Sequence, residues 1–209
     1  MILYDYYRSS AAYRVRIALN LKGLSYQQQS VNLLAAENRE APFLAQNPQG
    51  LVPVLQDNGE ILSQSLAICE YLDEQYPQSA QLVYGRPVDK ANIRRLAQII
   101  ACDIHPVDNL RVLKYLQSEL NIDEKEKLRW YQHWIAEGFA ALEEQLKSIG
   151  GDGPYCYGDK PSLADVCLIP QFYNAKRFEM DLREYPSLLE IDRYCNALPE
   201  FVRAHPDSQ

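Results

Sequence analysis

The hydrophobic pattern changes character part-way along the chain. A short apolar run, Met1–Tyr4, fits a strand and leads into a polar turn. Ala11, Val15, Ala18 and Leu19 then fall at i, i+4, i+7 and i+8, the spacing of one helical face. Gly23 is a stop for that helix. Ser25 to Asn32, with Tyr26 and Val31 among polar residues, reads as a second strand. Strand, helix and strand in succession predict a βαβ unit with parallel pairing. A polar loop, Asn32 to Glu40, and a weakly helical stretch, Ala41 to Gln46, follow. Leu51 to Leu55 is strand-like but contains Pro53, which marks either an edge strand or bulge, or a cis peptide bond. Asn58-Gly59 is a hairpin signal, and Glu60 to Leu62 is the returning strand. Leu66, Cys69, Leu72 and Tyr76 lie on the next helix, with Ser65 as its candidate N-cap and Pro77 just past its end.

From Pro77 to Arg86 the periodicity lapses, as in an interdomain linker. Pro87 suits a first helical position, and the pattern is helical almost to the end. Ile93, Leu96, Ala97 and Ile100 form one stripe, which Pro106 should kink or break before Val107, Leu110 and Leu113 resume it. His105 and Asn109, four apart, would share a helical face. Asp123 to Ile149 is the clearest helix, with Glu143 and Lys147 spaced as a favourable pair. Gly150 to Pro154 reads as a flexible loop. Ser162 and Asp165 have capping-box spacing ahead of another helix, Tyr185-Pro186 to Leu198 gives the last one, and Ala204 to Gln209 is a polar tail. The pattern predicts a mixed α/β domain over residues 1–79 and an all-helical domain over 87–209.

The chain has 209 residues, 47% of them hydrophobic, enough to build a packed core. A net charge of −7 argues against a general nucleic-acid binder but leaves room for an anionic ligand held by local arginines. No apolar run has the length of a membrane span, and the start lacks a signal-like segment. Five cysteines without CxxC spacing read as free thiols, mostly core, in a reducing compartment, so a soluble cytoplasmic protein is expected. The three histidines are far apart, with no ligand cluster around them to suggest a metal site.

Chemistry concentrates in the first turn, Arg8-Ser9-Ser10, at the start of the first helix. Serine there caps orphan N–H groups, and the helix end carries partial positive charge. This describes an ordinary capped helix equally well as a site for a thiolate whose pKa is lowered by a helix N-terminus and a hydroxyl donor. No cysteine lies in the turn, so a thiolate here must come from a ligand. Arg8, Arg14 and Arg16 add cations nearby.

The run Arg8-Ser9-Ser10-(two residues)-Tyr13-Arg14-Val15-Arg16-Ile17-Ala18-Leu19 closely resembles the opening motif of zeta-class glutathione transferases, the maleylacetoacetate and maleylpyruvate isomerases. Ala11 stands where that family usually has cysteine, and Tyr13 where it has tryptophan. Other segments resemble the family in the same order: Asn47-Pro48 to Val52-Pro53, Gln64-Ser65, Cys102 to Arg111, and Asn174-Ala175-Lys176-Arg177-Phe178. The resemblance implies a thioredoxin-like βαβαββα domain followed by a helical domain that completes the substrate site. It implies glutathione as cofactor, a small anionic diketo-acid substrate, and a homodimer.

The resemblance also implies residue roles. Ser9, or else Ser10, would stabilise the thiolate. Val52, before a cis Pro53, would pair its backbone with the cysteinyl unit, and Gln64 with Ser65 would hold the γ-glutamyl end. His105, Asn109 and Arg111 would line the glutathione and substrate site. Arg8, His105, Arg111 and Arg177 would meet the substrate's carboxylates and developing charge. Asp165 would serve folding. The implied reaction is isomerisation of maleylacetoacetate by reversible thiolate addition. Maleylpyruvate as substrate, conjugation of small halogenated acids, and a non-catalytic interaction module are the rival readings.

Overall fold

The computed structural model describes residues 1–149 and 153–209. The chain forms two compact units, Met1–Val83 with Asn196–Gln209, and Tyr84–Cys195.

In the first unit, β1 (Ile2–Asp5), α1 (Ser10–Leu21) and β2 (Gln27–Ser30) make the expected βαβ unit, with β2 parallel to β1. Next come a 3₁₀ turn (Glu37–Arg39), the short α2 (Ala41–Leu44), then β3 (Val54–Asp57), β4 (Glu60–Ser63) and α3 (Ser65–Gln75). The sheet order is β2-β1-β3-β4, with β3 antiparallel to both neighbours. Asn58 and Gly59 both take positive φ, as a tight hairpin between β3 and β4 requires. The Val52–Pro53 peptide is cis. Pro53 precedes β3 and leaves its ladder intact, and β3 lies between β1 and β4, so it is an interior strand and not an edge strand.

Residues along β1 alternate between the sheet's two faces. Leu3 is buried on one of them, and the rest of the unit's apolar core includes Val15, Leu19, Leu55, Ile68 and Leu72. Tyr4 lies on the other face, packed with Phe43 of α2 and with Val31, Val52 and Val54.

Residues 196–209 carry α9 (Pro199–Ala204) and a 3₁₀ turn (Pro206–Ser208). The sequence pattern grouped them with the helical domain, whereas they pack in the first unit. Two side chains of α1 account for the difference: Arg16 Nε donates to Ala204 O and Asn20 Nδ2 to Glu200 O, each at 2.9 Å.

The second unit contains α4 (Pro87–Gln98), a π-helical turn (Ile99–Ile104), α5 (Leu110–Glu119), α6 (Glu124–Ile149), α7 (Leu163–Arg177) and α8 (Pro186–Cys195). Nearly every residue of α7 is buried, as befits a helix apolar on all sides. Ser162 and Asp165 form the expected capping box, and Asp165 also accepts from Cys156 N at 2.8 Å, which confirms a folding role. Glu143 does not pair with Lys147. Its carboxylate accepts from Ser187 N and Leu188 N at the start of α8, a favourable place for negative charge. Lys147 pairs with Glu144 instead. Cys69, Cys156, Cys167 and Cys195 are buried and in no disulfide among the described residues, while Cys102 is exposed. Of the glycine-rich stretch 150–154, residues 150–152 lie outside the described residues.

Candidate functional site

The first unit supplies two helix N-termini. Ser9, in extended conformation, is the N-cap of α1, and its Oγ accepts from Ala12 N at 3.2 Å. A serine hydroxyl has one proton and two lone pairs, so this cap leaves the proton available for another acceptor. Ser10 is the first helical residue and is buried. The turn before it is fixed from below. Arg16, fully buried, pairs with the equally buried Asp5 at the end of β1 (2.7 Å) and donates to Tyr7 O at 3.0 Å. Arg16 is therefore committed to structure. Arg8 is exposed and stacks over the Tyr7 ring at 5.0 Å.

At the second N-terminus the cap is Gln64, not Ser65. Gln64 has φ +71°, rare for a residue with a side chain, and its Nε2 donates to Gln49 Oε1 at 2.8 Å. This places Ser65 as the first residue of α3, buried, with its Oγ accepting from Arg14 Nη1 at 3.3 Å. The first turn of α3 has neither a side-chain cap nor an acidic residue. Val52 is buried just before β3, and among the described residues its backbone N–H and C=O make no backbone hydrogen bond. Pro53 follows it through the cis bond. An unsatisfied strand segment, an uncapped helix start and a hydroxyl with a free proton suit a peptide carrying a carboxylate and a thiol. The residues present thus fit glutathione.

In the second unit, the helix that starts at Pro87 does not simply kink at Pro106. It loosens into the π-helical turn, where His105 N still donates to Ile100 O at 2.9 Å, and then stops. Asn109 is extended and caps α5 by accepting from Arg111 N at 3.1 Å. His105 and Asn109 therefore lie across a helix break and do not share a helical face. Arg111 sits exposed in the first turn of α5, and Arg177 exposed at the last residue of α7.

Helix α6 organises these segments. Trp130 Nε1 donates to Val107 O at 3.0 Å, Gln132 Nε2 donates to Phe178 O at 2.8 Å, and the Tyr131 and Phe178 rings lie 3.9 Å apart. Gly138 lets the π turn come close, since a Cβ there would stand 2.3 Å from Ile104 Cδ1. His133 is exposed, and its ring packs against Trp134.

The cations divide into two groups. Lys176 pairs with Asp192. Arg8, Arg111 and Arg177 have no acidic partner among the described residues. They are thus available to a carboxylate, for which the guanidinium fork is well shaped.

Two groups escaped the sequence pattern. Arg14, one of the cations expected near the first turn, is 1% exposed and donates to Ser65. Asp108 is buried, neither carboxylate oxygen has a partner among the described residues, and burial pushes its pKa up to about 8. No spacing rule announces a buried, unpaired acid.

Residues 3–80 match the glutathione S-transferase N-terminal domain. The chain is 50% identical to a probable maleylacetoacetate isomerase of Vibrio cholerae, over 100% of this chain and 97% of that protein. It is 43% identical to a maleylpyruvate isomerase of a Ralstonia species, over 100% and 98%. Among solved structures it resembles a holo maleylpyruvate isomerase, described as a zeta-class bacterial glutathione S-transferase, with TM-score 0.97, 42% identity and coverage of 100% and 98%. It also resembles a maleylacetoacetate isomerase from Methylobacterium extorquens with bound malonate and glutathione, with TM-score 0.96, 38% identity and coverage of 100% and 98%. With an uncapped α3, an unpaired Val52 and a cis Pro53 in a four-stranded thioredoxin-like sheet, and with full-length relatives at this identity, the chain belongs to the zeta-class glutathione transferases, the family of the maleylacetoacetate and maleylpyruvate isomerases.

Proposed function

We propose that the protein is a glutathione-dependent cis–trans isomerase that converts maleylacetoacetate to fumarylacetoacetate. The observation that carries this reading is the start of α1. Ser9 caps the helix with its oxygen and keeps its proton for a sulfur acceptor, at the positive end of the helix. Bound glutathione would supply the thiolate that adds to the double bond, making it a rotatable single bond, and leaves again once rotation has occurred.

The remaining work falls to the chain. Ser9 donates to the sulfur and lowers its proton affinity. Ser10, next in the helix, is the alternative donor. Val52 pairs its backbone with the cysteinyl unit beside Pro53, and Gln64 and Ser65 hold the γ-glutamyl end. His105, Asn109 and Arg111 line the ligand. Arg8, Arg111 and Arg177, without acidic partners among the described residues, receive the substrate's carboxylates and the charge that develops on its oxygen. The family resemblance also supports a cytoplasmic homodimer acting in aromatic amino acid degradation. No helix among the described residues is long and apolar enough to cross a membrane.

Turnover should require glutathione and should stop when S-methylglutathione, the same peptide without a free thiol, replaces it. Undiminished turnover with the methylated peptide contradicts the reading. Turnover of halogenated acids alone replaces it with the general transferase.

A further inference from the structure

The N-terminus of α3 carries a second feature besides its missing cap. Arg14, on α1 and 1% exposed, reaches it from below, with Nη1 3.3 Å from Ser65 Oγ. Among the described residues its Nε and Nη2 have no hydrogen-bond partner and no carboxylate pairs with it. Buried guanidinium groups are ordinarily paired, because an isolated buried charge is costly. Arg16, two residues on and equally buried, shows the ordinary arrangement with Asp5. Arg14 thus leaves a buried positive charge one hydroxyl away from a helix end that is itself positive. The N–H groups of Ser65, Leu66 and Ala67 also find no acceptor among the described residues. Among the described residues, no acidic group pairs with this place.

We propose that Arg14 supplies the charge for a ligand carboxylate held at the N-terminus of α3, acting through Ser65 as a positioning residue. The proposal rests on the reading that Ser65 holds the γ-glutamyl end of glutathione. Because Arg14 donates to Ser65 Oγ, the hydroxyl proton of Ser65 is turned to the ligand side. The guanidinium polarises that O–H and strengthens the hydrogen bond it gives to a carboxylate. Arg14 lies on α1 one helical turn after Ser10, so its side chain ties α1 to the start of α3. It sets the ligand's anchor without touching the reacting bond.

The test compares two peptides by calorimetry on the intact protein. One is glutathione; the other is 4-aminobutanoyl-cysteinylglycine, which lacks only the α-carboxylate of the γ-glutamyl unit. The wild-type protein should prefer glutathione. Arg14→Gln and Arg14→Met should each shrink that preference by about tenfold or more, while Arg14→Lys keeps most of it. At saturating glutathione the isomerisation rate of the neutral variants should stay within about threefold of wild type, with the loss appearing in the KM for glutathione. If both neutral variants weaken the two peptides equally, or fail to fold, Arg14 is structural and the proposal is overturned. A wild-type protein that binds both peptides equally overturns the carboxylate assignment of Ser65 itself, and the role of Arg14 with it.

Discussion

Asp5 and Arg16 form a fully buried ion pair, Oδ2 to Nη1 at 2.7 Å, that ties the end of β1 to α1. The guanidinium also holds Tyr7 O in the turn before Ser9 and Ala204 O at the end of α9. One side chain therefore fixes the strand, the turn and the C-terminal segment. Arg16→Met strands an unpaired buried carboxylate and should cost about 3–5 kcal/mol, seen as a lower denaturation midpoint. Replacing both partners, Asp5→Leu with Arg16→Met, should cost less than Arg16→Met alone.

The two roles of Ser9 can be separated. Ser9→Ala loses cap and donor together, with a stability loss of about 1 kcal/mol. Its turnover at saturating glutathione should fall about 100-fold while glutathione binding survives. Ser9→Asp restores the cap acceptor but puts a negative charge beside the thiolate, so it should recover stability and not rate. Ser9→Thr should recover both. Thermal melts and kcat across pH check the pattern. Full activity in Ser9→Ala removes Ser9 from the mechanism.

Much of this arrangement is legible in the sequence, because the helical spacing of α1, the Asn58-Gly59 turn and the Ser162–Asp165 box each express a local rule. What is not legible depends on tertiary contact. The apolar spacing from Ile93 to Ile104 runs on unbroken, so it cannot announce the π-helical turn that Gly138 makes room for. Ser65 looks like an N-cap because only the folded chain places Gln64 at positive φ. Arginine is a surface residue by default, so the burial of Arg14 and Arg16 appears only once α1 is packed. An amphipathic α9 must bury its apolar face, and nothing in its pattern names α1 as the partner.

Asp108 links stability to pH. Its pKa is raised from 3.8 to about 8 by burial, so the folded chain holds a proton that the unfolded chain releases above about pH 4. Stability from this group is present below that point and is lost as pH rises towards 8. Asp108→Asn keeps the size and removes the titration. It should raise stability at pH 8 by about 1–3 kcal/mol and change it little at pH 4. An identical gain at both pH values contradicts the assignment.

Arg177 and Lys176 are adjacent cations with different fates, since only Lys176 has an acidic partner among the described residues. Arg177→Ala should raise the KM for the diketo acid or lower its kcat/KM by about 10–100-fold, with glutathione affinity within about twofold. Lys176→Ala should leave both nearly unchanged and reduce stability slightly. Equal losses of substrate and glutathione handling in Arg177→Ala count against a substrate role.

Gly138 should tolerate no side chain without displacing Ile104. Gly138→Val should destabilise the protein by about 1–3 kcal/mol and disturb the neighbouring His105 segment, so activity should fall further than the melting curve alone explains. A variant with wild-type kinetics would show that the π-helical turn can move without consequence.

Initial rates of isomerisation of maleylacetoacetate and of maleylpyruvate, measured in parallel with purified protein and saturating glutathione, decide the matter. The structure and the family membership predict efficient turnover of maleylacetoacetate to fumarylacetoacetate, dependent on the free thiol. Efficient turnover of maleylpyruvate alone would move the substrate within the family, and turnover of neither would contradict the isomerase assignment.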